Sequence, residues 1–108
     1  MTLELFQDLL DKKLTKNQFY DIVKKNDDLI PKIIDGVSSN KATIRYSCAK
    51  VLMDISEENP DKIYDFMDFF IDLLDSNYRI LIWNAIITIA NLTKVDIDNK
   101  FDNIFRKY

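Results

Sequence analysis

The chain has 108 residues, no histidine, one cysteine and a formal net charge of −3. The missing histidine removes the commonest general base and metal ligand, and Cys48 alone can form neither an internal disulfide nor a multi-cysteine zinc site. One glycine and two prolines exclude glycine-rich phosphate loops, and the acidic balance argues against a nucleic acid as the main partner.

The first part of the chain predicts two short helices. Apolar residues recur at helical spacing from Thr2 to about Lys12, which indicates a first helix. Thr15 and Gln18 have the spacing of a capping box, in which a hydroxyl and an amide close the start of a helix. They predict a second helix that ends near Lys25.

The middle of the chain predicts three more helices separated by short polar turns. The third covers about residues 29–37. Pro31 is tolerated near its start because the backbone N–H groups of the first helical turn have no intrahelical partner, so the N–H that proline lacks breaks no hydrogen bond. The fourth covers about 41–57. The fifth begins at Pro60, a residue suited to a first helical position, and continues to about residue 74.

The last part predicts a sixth helix over about residues 78–94, a link over 95–99 and a seventh helix over 100–108. Its most apolar run, residues 80–92, is too short to span a bilayer and is typical of a buried helix. The N-terminus also lacks the basic start and apolar run of a secretion signal. We therefore expect no membrane association and a reducing, cytoplasmic setting.

The helical pattern repeats when the chain is shifted by 37 residues. The shift places the turn Ser39-Asn40 on Ser76-Asn77 and preserves size and polarity over about 30 positions. Equivalent pairs include Tyr46 and Trp83, Cys48 and Ala85, Leu52 and Ile89, and Ile33 and Phe70. A helical hairpin of this length cannot bury its apolar face alone, so such units stack.

The segment from Ile44 to Leu52 resembles the second helix of a HEAT repeat. A β-branched residue and Arg45 are followed by the small Cys48 and then by Leu52. In the second unit Ala85 and Ile89 fit this pattern, but Ile82 stands where the arginine would be. The resemblance implies an all-α fold, a superhelix of stacked antiparallel helix pairs with about seven helices. HEAT proteins share an architecture and partner binding rather than one chemistry, so it implies no particular reaction.

The repeat divides the single domain into four segments. Residues 1–27 form an N-terminal helical hairpin that caps the stack, 28–58 the first HEAT-like repeat, 59–95 the second, and 96–108 the first helix of an incomplete third. The open C-terminal end would expose an apolar helix face that another repeat or another copy should cover. We therefore expect either homo-oligomerisation or a longer parent protein.

The second helices of the two repeats carry the candidate partner-binding residues. Asn84, Thr88 and Asn91 form a polar stripe whose amides suit the backbone of an extended peptide. The full candidate set is Tyr46, Ser47, Asp54, Trp83, Asn84, Thr88 and Asn91. The alternatives are that the polar stripe meets water or caps neighbouring turns, and that Tyr46 and Trp83 pack between repeats.

A second candidate surface is acidic. Five aspartates recur at steps of four and three along the fifth helix: Asp61, Asp65, Asp68, Asp72 and Asp75. They suit either a docking surface for a basic partner or the solvated face of an amphipathic helix.

These patterns predict a protein that is not an enzyme and needs no cofactor or metal. Its function would be protein–protein interaction or scaffolding, with another protein or peptide as the partner. The rival hypothesis is a DNA-repair enzyme of the alkylpurine glycosylase type, because some of these enzymes have HEAT-like repeats. Trp83 and Asp54 would belong to its site, but the acidic charge disfavours it.

Overall fold

A computed structural model describes residues 2–95 of the chain. These residues contain α-helices and 3₁₀ turns and no strand, so the predicted all-α class is confirmed for the part described. The predicted seventh helix, residues 100–108, lies outside it. The α-helices are α1 (Thr2–Leu10), α2 (Lys16–Lys25), α3 (Ile30–Gly36), α4 (Ala42–Glu58), α5 (Met67–Leu73) and α6 (Arg79–Leu92). The 3₁₀ turns are Asp27–Leu29, Pro60–Lys62, Tyr64–Phe66 and Thr93–Val95.

Local sequence signals explain where the second helix begins. The hydroxyl of Thr15 accepts a hydrogen bond from the backbone N–H of Gln18 at 3.1 Å. The side chain of Gln18 accepts one from the backbone N–H of Thr15 at 2.9 Å. The predicted capping box is therefore confirmed, and it satisfies two of the donors that a helix start leaves free.

The fifth helix begins seven residues later than the sequence predicted. Residues 60–66 form two successive 3₁₀ turns, held by bonds from Ile63 N to Pro60 O and from Phe66 N to Ile63 O. Ile63 and Phe66 have φ near −109° and −100°, which departs from the helical value near −63°. The α-helical hydrogen bonding therefore starts only at Met67.

The chain divides into two compact units, Met1–Asp54 and Ile55–Tyr108. In the first unit, α1 packs on α2, and the turn before α3 packs on both α2 and α3. In the second unit, α5 and α6 form the main pair, and the turn at Pro60–Lys62 contacts α6. Each unit buries its own apolar side chains: Phe19, Val23, Ile33, Cys48 and Leu52 in the first, and Ile63, Met67, Phe70, Ala85 and Leu92 in the second.

The local structure recurs at the offset of 37 residues. The 3₁₀ turn Asp27–Leu29 matches Tyr64–Phe66, α3 matches α5 residue for residue, and α4 and α6 begin 37 residues apart. Equivalent side chains serve equivalent turns, because Ser39 Oγ accepts from Lys41 N at 3.1 Å and Ser76 Oγ accepts from Tyr78 N at 3.0 Å. The sequence repeat therefore corresponds to a repeat of helix bounds and turn hydrogen bonds. The four-segment division of the chain stays a prediction.

Candidate protein-binding surface

One side of α6 exposes large apolar side chains. Trp83 is 64% exposed, Ile80 54%, Ile86 45% and Ile87 42%. With the exposed Ala90, these residues lie along one side of the helix, because their spacing follows the helical period of 3.6 residues. We call Ile80, Trp83, Ile86, Ile87 and Ala90 the α6 face. Single exposed apolar residues are ordinary on a protein surface, whereas large contiguous apolar patches are typical of interaction sites.

The opposite side of the same helix lies in the core. Leu81, Ala85 and Leu92 are buried there, and α6 packs on α5. The prediction that residues 80–92 form a buried helix is therefore wrong for half of the helix circumference. The sequence misled because a helix that is apolar all round usually belongs to a core, whereas here apolar residues cover both the packed side and the open side.

Cations stand at both ends of the α6 face. Arg79 is the first residue of α6, Lys94 follows its last residue by two, and both are exposed. The sequence between them contains no charged residue. Within residues 2–95, neither side chain has a carboxylate within ion-pair distance. Within the described residues, the apolar stripe is thus uncharged along its length and has one cation at each end.

The predicted polar stripe on α6 is divided between surface and interior. Asn84 is half-buried at the edge of the α6 face. Thr88 is wholly buried, so its hydroxyl points into the second unit rather than to a partner surface. Asn91 is half-buried and donates from Nδ2 to Ser56 Oγ at 3.1 Å. The structure therefore leaves Trp83 on accessible surface, keeps Asn84 and Asn91 half-buried and places Thr88 in the interior.

The equivalent side of α4 is more covered than that of α6. Ala49, which corresponds to Ile86, is only 2% exposed, and Tyr46, which corresponds to Trp83, is half-buried. The guanidinium of Arg45 lies 4.7 Å from the centroid of the Tyr46 ring, close enough for a cation–π contact. Arg45 Nη1 also donates to the carbonyl oxygen of Ser39 at 3.1 Å, so this arginine ties the preceding turn to α4.

Ser47 and Asp54 belong to a different place, a cavity in the first unit. The cavity has a volume of about 200 Å³, and its lining includes Phe19, Val51 and Lys50 beside these two residues. Ser47 is buried, and Asp54 accepts from Lys50 Nζ at 2.9 Å along α4. A neighbouring open hollow of about 310 Å³ shares Ser47 and has Lys12 at its edge. Because Asp54 is already ion-paired, the cavity offers apolar walls and lysines rather than a free carboxylate.

The five aspartates predicted as an acidic stripe are all exposed. Asp68 and Asp72 lie on α5, whereas Asp61 and Asp65 fall in the two 3₁₀ turns and Asp75 follows α5. This distribution is that of a solvated surface along the second unit. It leaves a basic docking partner as a hypothesis that no contact in the structure addresses.

Chemically reactive groups are few in the part of the chain that the structure describes. Residues 2–95 contain no group of three or more side chains that would hold a metal ion. Burial raises the pKa of the Cys48 thiol from its ordinary value of 9.0 to about 12, because the thiolate would lose its hydration in the core. Cys48 is therefore a protonated core residue at neutral pH rather than a nucleophile. No helix within residues 2–95 has the length and apolar character needed to cross a membrane.

In comparisons with known proteins, no family model, no curated protein and no solved structure matches the chain.

Sequence reasoning identified Trp83 as a candidate but missed the three isoleucines beside it. Ile80, Ile86 and Ile87 were assigned to the core with the rest of the apolar run. A signal for their exposure was present, since α6 has too many large apolar residues for one packed side. Arg79 and Lys94, at the two ends of the run, lie by helical period on the same side as Ile80 and Trp83. Charged residues prefer solvent, so their position indicated which side of the helix is exposed.

Proposed function

We propose that this chain is a non-enzymatic protein-binding module built on HEAT-like helix pairs, which binds a partner through the α6 face. The observation that carries the proposal is the 64% exposure of Trp83 between two other exposed apolar residues, Ile80 and Ile87. Tryptophan is the residue most enriched among those that dominate binding energy in protein interfaces. Its position in the middle of an apolar stripe is the arrangement expected of an anchor residue.

The size of the expected gain indicates that contact with these side chains alone gives weak binding. Full burial of one large apolar side chain contributes about 1.5–3 kcal/mol, and the four large side chains of the α6 face are each about half exposed. Covering them would therefore contribute roughly 3–6 kcal/mol. Association of two molecules costs at least about as much in lost rotational and translational freedom. A tight complex must extend past these four residues, and Asn84 at the edge of the face is the nearest polar residue on α6.

The HEAT-like assignment is part of the same proposal. Two features support it: the recurrence of helix bounds and turn hydrogen bonds at an offset of 37 residues, and Arg45, which ties the turn at Ser39 to α4. We propose that the pairs stack as in other α-solenoids and that the α6 face is the side on which the stack continues or a partner binds. A reducing, cytoplasmic setting fits Cys48, a free and buried thiol.

The rival function, repair of alkylated DNA, has less support. The site imagined for it combined Trp83 with Asp54, but Asp54 is ion-paired with Lys50 and lines a cavity of the first unit. The net charge of −3 also opposes binding to phosphates. A mobility-shift measurement on duplex DNA at low salt would test it directly, and tight binding there would contradict our proposal.

The test of the binding function compares a variant of the α6 face with a matched surface variant. The tagged chain, Trp83→Ser/Ile87→Ser and Asp68→Ser/Asp72→Ser would be used for affinity capture from cell extract. The control changes two exposed residues of the same unit, on α5. Each protein that the unaltered chain retains would then be purified and titrated against all three forms.

We expect a purified partner to bind the unaltered chain and the α5 control with similar affinity. Loss of Trp83 and Ile87 should weaken binding by at least about thirtyfold, because removal of an interface anchor changes the binding free energy by about 2 kcal/mol or more. Equal binding by all three forms would remove the α6 face from the function. Loss of binding only in the α5 control would move the function to the acidic surface.

A further inference from the structure

The charge pattern of the α6 face indicates what kind of partner fits it. We propose that the occupant is an amphipathic helix of another protein, with an apolar stripe flanked by carboxylates at both ends. This inference rests on the proposed function and specifies the partner of the same surface. Its two components, the helical shape and the acidic ends, come from different observations.

The shape of the face suits a helix. Its exposed residues run from Ile80 to Ala90 along one side of a regular α-helix, a length of about 15 Å at 1.5 Å per residue. An amphipathic helix presents its own apolar residues at steps of three and four, which interlock with a row of the same period. An extended strand would place alternate side chains away from the row, and no exposed sheet edge exists within residues 2–95 to pair with its backbone.

The ends of the face select carboxylates. Arg79 and Lys94 are fifteen residues apart and therefore stand about 22 Å apart along the helix direction. Both are exposed and lack a carboxylate partner within the described residues. A partner helix with glutamate or aspartate just outside its apolar stripe would pair with both cations at once. A helix with lysine there would be repelled at both ends.

The same charges disfavour a second copy of this chain as the occupant. If two α6 faces met in antiparallel orientation, each Arg79 would stand next to Lys94 of the other copy. In parallel orientation Arg79 would meet Arg79. Either arrangement brings like charges together at both ends of the contact, which opposes association.

The chain's own C-terminal residues fit the face only in part. Phe101, Ile104 and Phe105 have the spacing of an apolar helical stripe, but Arg106 and Lys107 follow directly. Such a stripe would end in cationic side chains, whereas a carboxylate is needed there to pair with the cation at the end of the α6 face. The occupant that satisfies both ends is therefore a segment of another protein.

The test uses two synthetic peptides and the only tryptophan of the chain. Both peptides have sixteen residues and the same leucine stripe at steps of three and four, without aromatic residues. One has glutamate at both ends and the other has lysine. The full chain is titrated with each while the fluorescence of Trp83 is followed. We expect a blue shift with both and an affinity about fivefold higher for the glutamate-ended peptide at low salt, since two exposed ion pairs contribute modestly.

A charge-reversed variant makes the assignment specific. In Arg79→Glu/Lys94→Glu the preference should invert, so that the lysine-ended peptide binds about fivefold more tightly. The difference between peptides should shrink in about 0.5 M salt, because exposed pairs are screened. Circular dichroism provides the check on folding, and both substituted residues are exposed.

The possible failures are distinct. Equal affinity for both peptides, lost in Ile87→Asp, would overturn the acidic-ended partner and leave the proposed function standing. No fluorescence change with either peptide would overturn the helical occupant, while the purified partner from affinity capture would still decide the proposed function. Two further results would also overturn the inference: a dimer mass in sedimentation that is lost in Trp83→Ser, and a gain in affinity for both peptides when residues 100–108 are deleted.

Discussion

The amide of Asn91 donates a hydrogen bond from Nδ2 to the hydroxyl oxygen of Ser56 at 3.1 Å, across 35 residues of sequence. Ser56 is wholly buried near the end of α4, and Asn91 is half-buried on α6. The bond therefore connects two segments of the second unit. Because the Asn91 amide donates this internal bond, we expect Asn91 to contribute to the stability of the second unit.

Replacement of either member of this pair should destabilise the chain. We expect Ser56→Ala and Asn91→Ala each to lower the free energy of unfolding by about 0.5–1.5 kcal/mol, the usual contribution of one internal hydrogen bond. The double variant should lose less than the sum, since both changes remove the same contact. Urea denaturation of the four proteins measures this coupling, with the exposed Asn77→Ala as control. Strictly additive losses would mean that the bond contributes nothing.

Gly36 allows close packing in the first unit, and an added methyl group should disturb it. A Cβ at this position would lie 2.5 Å from Cys48 Sγ and 2.9 Å from Phe6 Cζ, both closer than van der Waals contact. Alanine in a helix is otherwise favoured over glycine by about 1 kcal/mol, so the sign of the effect tests the packing. We expect Gly36→Ala to lower the free energy of unfolding by about 1–3 kcal/mol.

The second variant Cys48→Ala separates steric overlap from other causes. It removes the sulfur atom that the new methyl group would meet, although the contact with Phe6 persists. In that background Gly36→Ala should be less than half as destabilising, as measured by thermal or urea unfolding. An unchanged loss would place the strain elsewhere, and a gain in stability would show that the helix preference for alanine dominates.

The thiol of Cys48 should make folding sensitive to alkaline pH. Its pKa is about 12 in the folded chain because of burial, against an ordinary value of 9.0. Between these values the unfolded chain has released the proton and the folded chain retains it, so stability falls as pH rises from about 9 toward 12. Since lysines and tyrosines titrate in the same range, the measured quantity is the difference between the unaltered chain and Cys48→Ala.

That difference should be constant below pH 8 and shift in favour of the alanine variant above pH 9. Labelling with a thiol reagent at pH 8 gives an independent reading. The native thiol should react at least about a hundredfold more slowly than the urea-unfolded one, because the thiolate is the reactive form. Rapid native labelling would place Cys48 on accessible surface and contradict the burial.

Two neighbouring large residues on α6 should respond in opposite ways to truncation. Trp83 is 64% exposed, whereas Leu81 is 3% exposed. Trp83→Ala should leave the free energy of unfolding within about 0.5 kcal/mol. Leu81→Ala should lower it by about 2–5 kcal/mol, because a cavity remains in the core. Urea denaturation followed by circular dichroism measures both, and a large loss for Trp83→Ala would show that the α6 face is covered in solution.

Much of the local structure follows from short-range chemistry and was predictable. The capping box at Thr15 and Gln18, the bounds of α2 and the repeated turns at Ser39 and Ser76 depend on residues a few positions apart. The fifth helix was misjudged because Pro60 indicates where a helical segment begins but not whether its first turns are α or 3₁₀. Whether these turns are α or 3₁₀ depends on tertiary packing, because the wholly buried side chains of Ile63 and Met67 must both lie in the core.

The candidate site was less predictable than the fold. Trp83 was identified because the repeat aligns it with Tyr46, but the same reasoning grouped Thr88 and Asn91 with it on one surface. The polarity of a side chain does not by itself decide whether the side chain faces the core or the solvent. Thr88 is polar and wholly buried, while Ile80 is apolar and more than half exposed.

The sequence by itself determined that the described part of this protein is helical, where most of its helices begin and end, and that helix bounds and turns recur at an offset of 37 residues. Periodicity and end caps act within a few residues, so the order of amino acids records them. Only the tertiary structure decided which side of α6 meets the core, because a helix with apolar residues on both sides and no charge over residues 80–92 is compatible with either orientation. In the structure Leu81, Ala85 and Leu92 are buried while α6 packs on α5, and Trp83 faces outward between two cations.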